Sequence, residues 1–152
     1  AEIISVNQMP FIQEFLVNLG KKHGTYVGQP ALSANGLVGQ VIETLNLSSR
    51  IMLITDSRSA IPVEDSGTGV RGILCGIGKT DTLKLINIPP GTSINPGDLL
   101  VTSGLGGRFP PGYPVGIVSQ ITRSSDADFE SILVRPMVDV NRIRLLLLVW
   151  HD

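Results

Sequence analysis

One cysteine, Cys75, occurs among the 152 residues of this chain, so no disulfide can form within it. The two histidines, His23 and His151, lie far apart in the sequence and have no metal-ligand spacing with that cysteine. Small domains bury little surface and usually need a staple or a partner. We therefore predict no metal and no cofactor, and we predict that packing between domains and oligomerisation supply the stability.

Charge is also scarce, since only 16% of the residues are charged and the formal net charge is −1, with a sequence pI of about 6.1. The largest basic clusters are two pairs, Lys21-Lys22 and Arg142 with Arg144, and aromatic residues make up 5% of the chain. A protein that binds nucleic acid through bulk charge carries a basic patch or stripe. The composition thus excludes nucleic acid as a partner bound in this way.

No apolar run approaches the roughly 20 residues of a membrane span, and the first residues lack a signal-peptide pattern. The longest run, Leu145 to Trp150, suits a strand, with Trp150 in a structural role. Because such a run is an aggregation hazard when exposed, we expect it to complete a barrel and to be buried on most sides. A hydrophobic content of 42% and a mean hydropathy of +0.26 suit part of a larger anchored protein, or one that buries surface against partners.

Glycine, proline, asparagine and aspartate recur at short intervals between runs rich in valine, isoleucine and leucine, which indicates an all-β chain. The residues from Met9 to Lys22 also fit a helical period, but we predict a strand there. The predicted strands are 2–6, 11–18, 30–33, 37–44, 51–55 and 60–63, followed by 71–77, 82–88, 98–102, 114–121, 130–135 and 138–150.

The sequence repeats itself, because Val38-Gly39-Gln40-Val41-Ile42 recurs as Val115-Gly116-Ile117-Val118-Ser119 at an offset of 77 residues (115 − 38 = 77). About six short strands in each copy predict two tandem, internally duplicated six-stranded β-barrels, 1–66 and 67–152. The final strand, 138–150, either belongs to the second barrel or crosses back to complete the first. The strand glycines Gly39 and Gly116 are predicted to be structural, at a bulge or bend.

The second copy carries an inserted loop, Ser103 to Pro114, in which prolines and glycines specify an irregular shape. Arg108, Phe109 and Tyr113 in this loop are the candidate partner-binding residues, since interfaces are enriched in arginine and aromatic side chains. The alternative is that Phe109 and Tyr113 close the mouth of the barrel.

Two small barrels also invite comparison with chymotrypsin-like hydrolases, and His23, Asp56 and Ser66 occur in the order of a catalytic triad. Ser66 falls between the two copies instead of inside the second barrel, and all three residues fit solvated turns. We therefore predict that the chain is not an enzyme and has no catalytic residue, with a degenerate two-barrel hydrolase as the alternative.

The inserted loop and its flanks resemble the MreC family of bacterial rod shape-determining proteins. The residues that carry the resemblance are Gly97 to Val115, GDLLVTSGLGGRFPPGYPV, together with Gly36 to Val41, GLVGQV, and Arg142 to Trp150, RIRLLLLVW. The resemblance runs through essentially the whole chain.

The resemblance to this family implies a non-enzymatic scaffold of the peptidoglycan-synthesising elongation machinery, or elongasome. The implied chain is the periplasmic β-barrel region of a single-pass inner-membrane protein, attached through an N-terminal helix that precedes this sequence. The implied partners are further copies in a dimer or filament, penicillin-binding protein 2 with its glycosyltransferase partner, MreD and the MreB system. No cofactor-binding residue is implied.

Overall fold

The computed structural model of the chain describes residues 1–89, 91–123 and 130–150. In this part of the chain twelve strands and one short 3-10 helix, Lys21–His23, are formed. The strands are β1 Ile3–Met9, β2 Ile12–Val17, β3 Pro30–Ser33, β4 Gly36–Thr44, β5 Ser49–Leu53, β6 Ala60–Asp65, β7 Arg71–Lys79, β8 Thr82–Ile86, β9 Leu99–Thr102, β10 Pro114–Arg123, β11 Glu130–Pro136 and β12 Leu147–Leu148.

The strands form two antiparallel sheets. One is a closed six-stranded barrel with the order β10-β11-β8-β7-β6-β9, and the other is a six-stranded sheet with the order β1-β2-β5-β4-β3-β12. The predicted all-β class and one six-stranded barrel are confirmed. Two duplicated barrels are not confirmed, because the second sheet is not closed.

The open sheet lacks a continuous ladder between β1 and β12. β12 forms only two residue pairs with β3, and a single antiparallel bridge joins Leu145 to Glu2 of the β1 side. A turn closed by the Arg142 N–H to the Asp139 carbonyl precedes this segment, at 3.0 Å. The predicted strand 138–150 is therefore wrong in length, since the chain first turns and then pairs over a few residues only.

The pairing order is the same in both sheets. The open sheet can be written in the order β12-β3-β4-β5-β2-β1 and the barrel in the order β6-β9-β10-β11-β8-β7. Each strand of the open sheet then corresponds to the barrel strand whose number is six higher, except that β12 corresponds to β6. β6 precedes residue 66 and pairs in the barrel, whereas β12 pairs with β3 near the start of the chain. The division into domains at residue 66 stays a prediction.

Gly39 and Gly116 each follow a β-bulge. Val38 has no partner between the pairs Ala31–Gly39 and Leu32–Leu37, and Val115 has none between the pairs that β10 makes with β9. A Cβ atom on Gly39 would lie 2.0 Å from the Met52 carbonyl oxygen, and one on Gly116 would lie 2.5 Å from a methyl group of the facing strand. Close approach of a neighbouring strand therefore requires glycine at both positions.

Side chains from both sheets form one buried cluster that includes Phe15, Leu37, Leu74 and Leu100. The C-terminal segment joins it through Leu146, which is 2% exposed. Its neighbours Leu145 and Leu147 are 64% and 69% exposed, and Trp150 is 51% exposed. The expectation that this run is buried on most sides is wrong, because alternate residues of an extended segment point to opposite faces.

Candidate partner-binding surfaces

The inserted loop is held at its base by Thr102, which is fully buried at the end of β9. The Thr102 backbone N–H donates to the Tyr113 carbonyl and its hydroxyl donates to the Pro110 carbonyl, at 2.8 and 2.7 Å. The same hydroxyl oxygen accepts from the Tyr113 N–H at 2.9 Å. Four loop glycines have a positive φ that other residues rarely adopt: Gly104, Gly106, Gly107 and Gly112. The loop therefore has a defined conformation.

The three candidate residues of the loop differ in placement. Arg108 is exposed and its Nη2 donates to the Ala60 carbonyl of β6 at 3.3 Å. Phe109 is 4% exposed and belongs to the buried cluster, as the alternative of a closed barrel mouth requires. Tyr113 is half-buried. Partner binding by these residues stays a prediction, and Arg108 with Tyr113 are the two that solvent reaches.

Trp150 packs against the turn that follows the 3-10 helix. Its ring centroid lies 6.1 Å from that of Tyr26 at an interplanar angle of 57°. The Tyr26 hydroxyl donates to the Val149 carbonyl at 3.3 Å, and a Cβ on Gly24 would lie 3.1 Å from the indole. These contacts attach the C-terminal segment beyond β12 to the open sheet.

The three residues of the hydrolase alternative do not form a triad. The His23 Nδ1 accepts a hydrogen bond from the Gly20 N–H at 3.0 Å, whereas a triad histidine donates from Nδ1 to the aspartate. The Asp56 carboxylate is occupied by Arg58 and by the Gln13 N–H. Ser66 is exposed in the turn after β6. The geometry gives no nucleophile–base pair from these residues.

Two other kinds of site can be assessed in the described residues. No group of three histidine, cysteine, aspartate or glutamate side chains in these ranges could hold a metal ion. Among the same residues, no helix is long and apolar enough to cross a membrane.

A buried ionic network lies at the junction of the two sheets. The sequence does not indicate it, and the prediction that Asp56 lies in a solvated turn is wrong. Asp56 is fully buried and accepts from the Gln13 N–H at 2.7 Å. The Arg58 guanidinium binds both Asp56 carboxylate oxygens at 2.8 and 2.9 Å, and it binds Glu14 of β2 at 2.6 Å. Burial raises the pKa of Asp56, but the hydrogen bonds from Arg58 and Gln13 outweigh burial and leave the pKa below its usual value.

The same network reaches the barrel through Gln13. The Gln13 Nε2 donates to the Gly78 carbonyl of β7 at 2.8 Å, and its Oε1 accepts from the Thr55 hydroxyl. The Gly78 N–H donates in turn to the Thr55 carbonyl at 2.9 Å. Hydrogen bonds thus connect β2 of the open sheet to β7 of the barrel, which fixes the two sheets relative to each other.

A second pair of carboxyl groups lies at the end of β6. Asp65 is 2% exposed, and its Oδ1 accepts from the N–H groups of Gly67 and Thr68 at 2.8 and 3.1 Å. The neighbouring Asp65 carboxyl group and, to a smaller extent, burial raise the pKa of Asp98. Burial raises the pKa of Asp65, but the interaction with Asp98 and the hydrogen bonds from Gly67 and Thr68 outweigh burial and leave the pKa below its usual value.

Because the pKa values of Asp65 and Asp98 shift in opposite directions, we expect their contribution to the free energy of unfolding to be largest in the acidic range and to fall at both lower and higher pH. The contribution of Asp98 is present below its unfolded pKa and is lost as the pH rises through its raised folded pKa. The contribution of Asp65 is present above its unfolded pKa and is lost as the pH falls through its lowered folded pKa.

Substitution Asp98→Asn should remove the loss of stability at rising pH, because an amide carries no charge that repels the Asp65 carboxylate. We expect a gain of less than about 1 kcal/mol in the free energy of unfolding at pH 7, since solvent screens part of this repulsion. Urea unfolding between pH 3 and pH 8 measures it, with Asp81→Asn, in the exposed β7–β8 turn, as the control for net charge. Parallel pH curves for Asp98→Asn and the parent would contradict the coupling between the two carboxyl groups.

Comparison with known proteins places the fold in a family. The family described as rod shape-determining protein MreC, barrel core, matches residues 3–150. The cell shape-determining protein MreC of Haemophilus influenzae is 43% identical over 150 residues, which cover 99% of this chain and 43% of that protein. The chain thus spans less than half the length of this relative.

Solved structures agree with the sequence match. The crystal structure of MreC from Pseudomonas aeruginosa superimposes with a TM-score of 0.93 at 41% identity, covering 98% of this chain and 96% of that one. The MreC chain in a complex with penicillin-binding protein 2 from Helicobacter pylori superimposes with a TM-score of 0.61 at 26% identity, covering 88% of this chain and 81% of that one. The resemblance found in the inserted loop is confirmed over nearly the whole chain, which belongs to the MreC family of rod shape-determining proteins.

Proposed function

We propose that this chain is the periplasmic β-barrel region of a scaffold in the cell-wall elongation machinery. In this role it self-associates and binds the transpeptidase penicillin-binding protein 2, and it carries out no chemistry. The observation that carries the proposal is the complex that a related MreC forms with penicillin-binding protein 2. The proposed location is the outer side of the inner membrane, with attachment through a segment outside this chain.

The remaining partners are proposed from family membership. They are the glycosyltransferase that works with the transpeptidase, MreD and the MreB system. A scaffold needs a rigid body with several separate surfaces, and the junction network supplies rigidity by connecting β2 to β7. The inserted loop supplies one surface, since Thr102 fixes its conformation.

Within this loop, Arg108 and Tyr113 are the proposed transpeptidase contacts. The Arg108 guanidinium is exposed and donates to the Ala60 carbonyl of β6, and the half-buried Tyr113 lies in the loop just before β10. Arginine and tyrosine are enriched at interfaces and among the few residues that carry most of the binding energy. Phe109 lies between them in the sequence and is buried in the hydrophobic cluster.

The double substitution of Arg108 and Tyr113 by alanine should weaken transpeptidase binding by about tenfold or more, which corresponds to at least about 1.4 kcal/mol. The midpoint of thermal unfolding should stay within a few degrees, since neither side chain is fully buried. Titration against immobilised penicillin-binding protein 2 measures the affinity. Arg142→Ala, which removes an arginine that is 87% exposed, is the matched control.

Phe109→Ala helps to distinguish the two candidate roles of the loop, which are contact with a partner and closure of the barrel mouth. It should lower the free energy of unfolding by about 3–5 kcal/mol, the usual loss for a buried phenylalanine. Unchanged affinity and unchanged stability in the double variant would exclude the loop as a contact surface. A loss of stability without loss of affinity would assign all three residues to closing the barrel mouth.

A further inference from the structure

Two loops lie side by side at the end of the open sheet where β4 ends and β5 begins. One is the turn that joins these two strands, and the other runs from β2 to β3 through the 3-10 helix. The N–H groups of Lys21 and Lys22 donate to the carbonyl oxygens of Leu45 and Asn46, at 2.8 and 3.0 Å. A Cβ atom on Gly20 would clash with the Leu45 carbonyl oxygen, so the two backbones are in direct contact. The two loops therefore form one continuous surface.

The C-terminal segment brings an aromatic ring to the same end of the sheet. The Val149 N–H donates to the Pro30 carbonyl at the start of β3, at 2.9 Å, and Trp150 follows. The indole packs against Gly24 and Tyr26 of the loop between β2 and β3. Trp150 therefore adjoins the loop that carries the two lysines.

Apolar and basic side chains reach solvent together on this surface. Six exposed residues define it, and we call them the basic-apolar end: Lys21, Lys22, Val27, Leu45, Leu47 and Trp150. The two leucines are 48% and 58% exposed, the valine is 63% exposed and the tryptophan 51%. This is more apolar surface than a pair of surface loops needs to expose.

The charge at this end is positive. Within the described part of the chain, neither Lys21 nor Lys22 forms an ion pair. Glu43 at the end of β4 pairs with Arg50 at 3.6 Å, and Glu2 lines a groove together with Arg144. Each of these two carboxylates thus has an arginine beside it, and the lysines add positive charge that no described side chain neutralises.

The corresponding end of the barrel shows that the fold requires neither the lysines nor the leucines. β10 and β11 hold the places in the barrel order that β4 and β5 hold in the open sheet. The residues between them, 124–129, read SSDADF and contain two aspartates but no leucine. The residues between β8 and β9, 87–98, contain neither lysine nor arginine. The basic-apolar end therefore meets a requirement other than folding.

We propose that the basic-apolar end binds the surface of a membrane that contains anionic phospholipids. The lipid phosphate groups pair with Lys21 and Lys22, and the two leucines and Trp150 enter the boundary between headgroups and acyl chains. Lysine beside leucine and tryptophan is the combination typical of protein surfaces that lie in a membrane interface. This inference rests on the location proposed above, at the outer side of the inner membrane.

The composition of this surface favours a lipid bilayer over a protein partner. Protein interfaces are depleted of lysine. At a bilayer the lysine stem packs along apolar surface while the ammonium stays among the headgroups. Tryptophan is enriched at the same depth, because its ring has an apolar body and a polar N–H group. A half-exposed Trp150 beside two exposed lysines meets these conditions.

Trp150 reports directly on this surface, since it is the only tryptophan of the chain. Vesicles of equal parts phosphatidylglycerol and phosphatidylcholine should shift its emission to shorter wavelengths, and bromine on the acyl chains should quench it. Vesicles of phosphatidylcholine alone should bind about tenfold or more weakly, because they carry no net charge. Salt at about 1 M, where the Debye length is about 3 Å, should also weaken binding. Equal binding to both kinds of vesicle overturns the proposal.

The lysines are tested by the double substitution Lys21→Gln and Lys22→Gln. It should lower the partition coefficient on the anionic vesicles by about tenfold or more, as expected for two charges at the membrane surface. The double substitution Lys79→Gln and Lys84→Gln removes the same charge from exposed positions of the barrel and is the matched control. Equal losses in the two double variants mean attraction by net charge alone and contradict a specific surface.

The leucines are tested by Leu45→Ser and Leu47→Ser together. This variant should also partition about tenfold or more weakly and should lose the quenching of Trp150 by brominated lipid. Leu105→Ser, which removes a leucine of the inserted loop that is 48% exposed, is the matched control and should bind like the parent. The thermal midpoints should stay close to that of the parent, since all three leucines are exposed. Unchanged partitioning of the double variant excludes insertion of this end.

Penicillin-binding protein 2 separates this inference from the proposed function. Both double variants of the basic-apolar end should bind the transpeptidase with unchanged affinity. Loss of transpeptidase binding with retained vesicle binding assigns this end to that partner and overturns the inference. A parent chain that binds the transpeptidase, but neither sediments with anionic vesicles nor changes its emission, also overturns it and leaves the scaffold role standing.

Discussion

Truncation of the chain after Arg142 should lower the free energy of unfolding by at least about 4 kcal/mol, a large part of the 5–15 kcal/mol typical of a folded domain. The deleted segment contains Leu146, whose full burial contributes about 1.5–3 kcal/mol. It also contains β12, which pairs with the outer edge of β3 in the described part of the chain. Both edges of the open sheet would therefore lose their neighbour.

Backbone hydrogen bonds add to this loss. The segment accepts from the Ile3 N–H and the Ala1 ammonium, at 3.2 and 2.8 Å, and donates to the Ala1 and Pro30 carbonyls, both at 2.9 Å. A typical intramolecular hydrogen bond contributes about 0.5–1.5 kcal/mol. Hydrogen exchange should show that protection is lost in β1 and β3 first, while the closed barrel keeps its own.

Adjacent leucines provide the matched control for the truncation. Leu146→Ala should lower the free energy of unfolding by about 2–5 kcal/mol, and Leu147→Ala by less than about 0.5 kcal/mol, since only Leu146 is buried. Urea unfolding followed by circular dichroism measures all three variants. A truncated chain that stays soluble with an unchanged thermal midpoint would show that the C-terminal segment does not stabilise the open sheet.

The sequence predicts local features best where the strand pattern is strong. The pattern predicts strands over residues 37–44 and 114–121, and the structure forms β4 at Gly36–Thr44 and β10 at Pro114–Arg123. Alternation of β-branched residues between glycines and prolines suffices for these elements. The 77-residue repeat places the two strand glycines in equivalent bulges, although only one of the two sheets is closed.

The sequence predicts less well where distant residues decide the outcome. The run from Leu145 to Trp150 looks continuously apolar, but which of its faces is buried depends on its contacts with Glu2 and β3. Asp56 looks like a turn residue because its partners Gln13 and Arg58 cannot be paired from sequence spacing. The sequence does not predict the positive φ of Phe11, 72°, because phenylalanine seldom adopts this conformation. The partner-binding role of the inserted loop stays a prediction.

The second large effect is expected from Asp56→Ala, in the network that connects the two sheets. The substitution removes the carboxylate from the Gln13 N–H and from two guanidinium contacts. A buried donor left without an acceptor costs about 1–3 kcal/mol, and breaking a buried ion pair costs about 3–5 kcal/mol. Because the Arg58 side chain is 49% exposed and solvent replaces part of the pairing, we expect a loss of about 2–4 kcal/mol.

The pH dependence distinguishes this network from simple packing. The folded pKa of Asp56 is lowered, so its contribution is present above its unfolded pKa and is lost as the pH falls through the folded value. The parent should lose stability below about pH 4, the ordinary pKa of aspartate, and the alanine variant should lose less over the same range. Asp56→Asn keeps the shape and one acceptor, so its stability should lie between the two.

Since Gln13 also donates to Gly78 of β7, the loss should reach both sheets. Hydrogen exchange of Asp56→Ala should rise in β2 and in β7 together, whereas Glu43→Ala, which removes an exposed partner of Arg50, should leave both unchanged. Increased exchange in β2 alone would mean that the network stabilises the hairpin without joining the sheets.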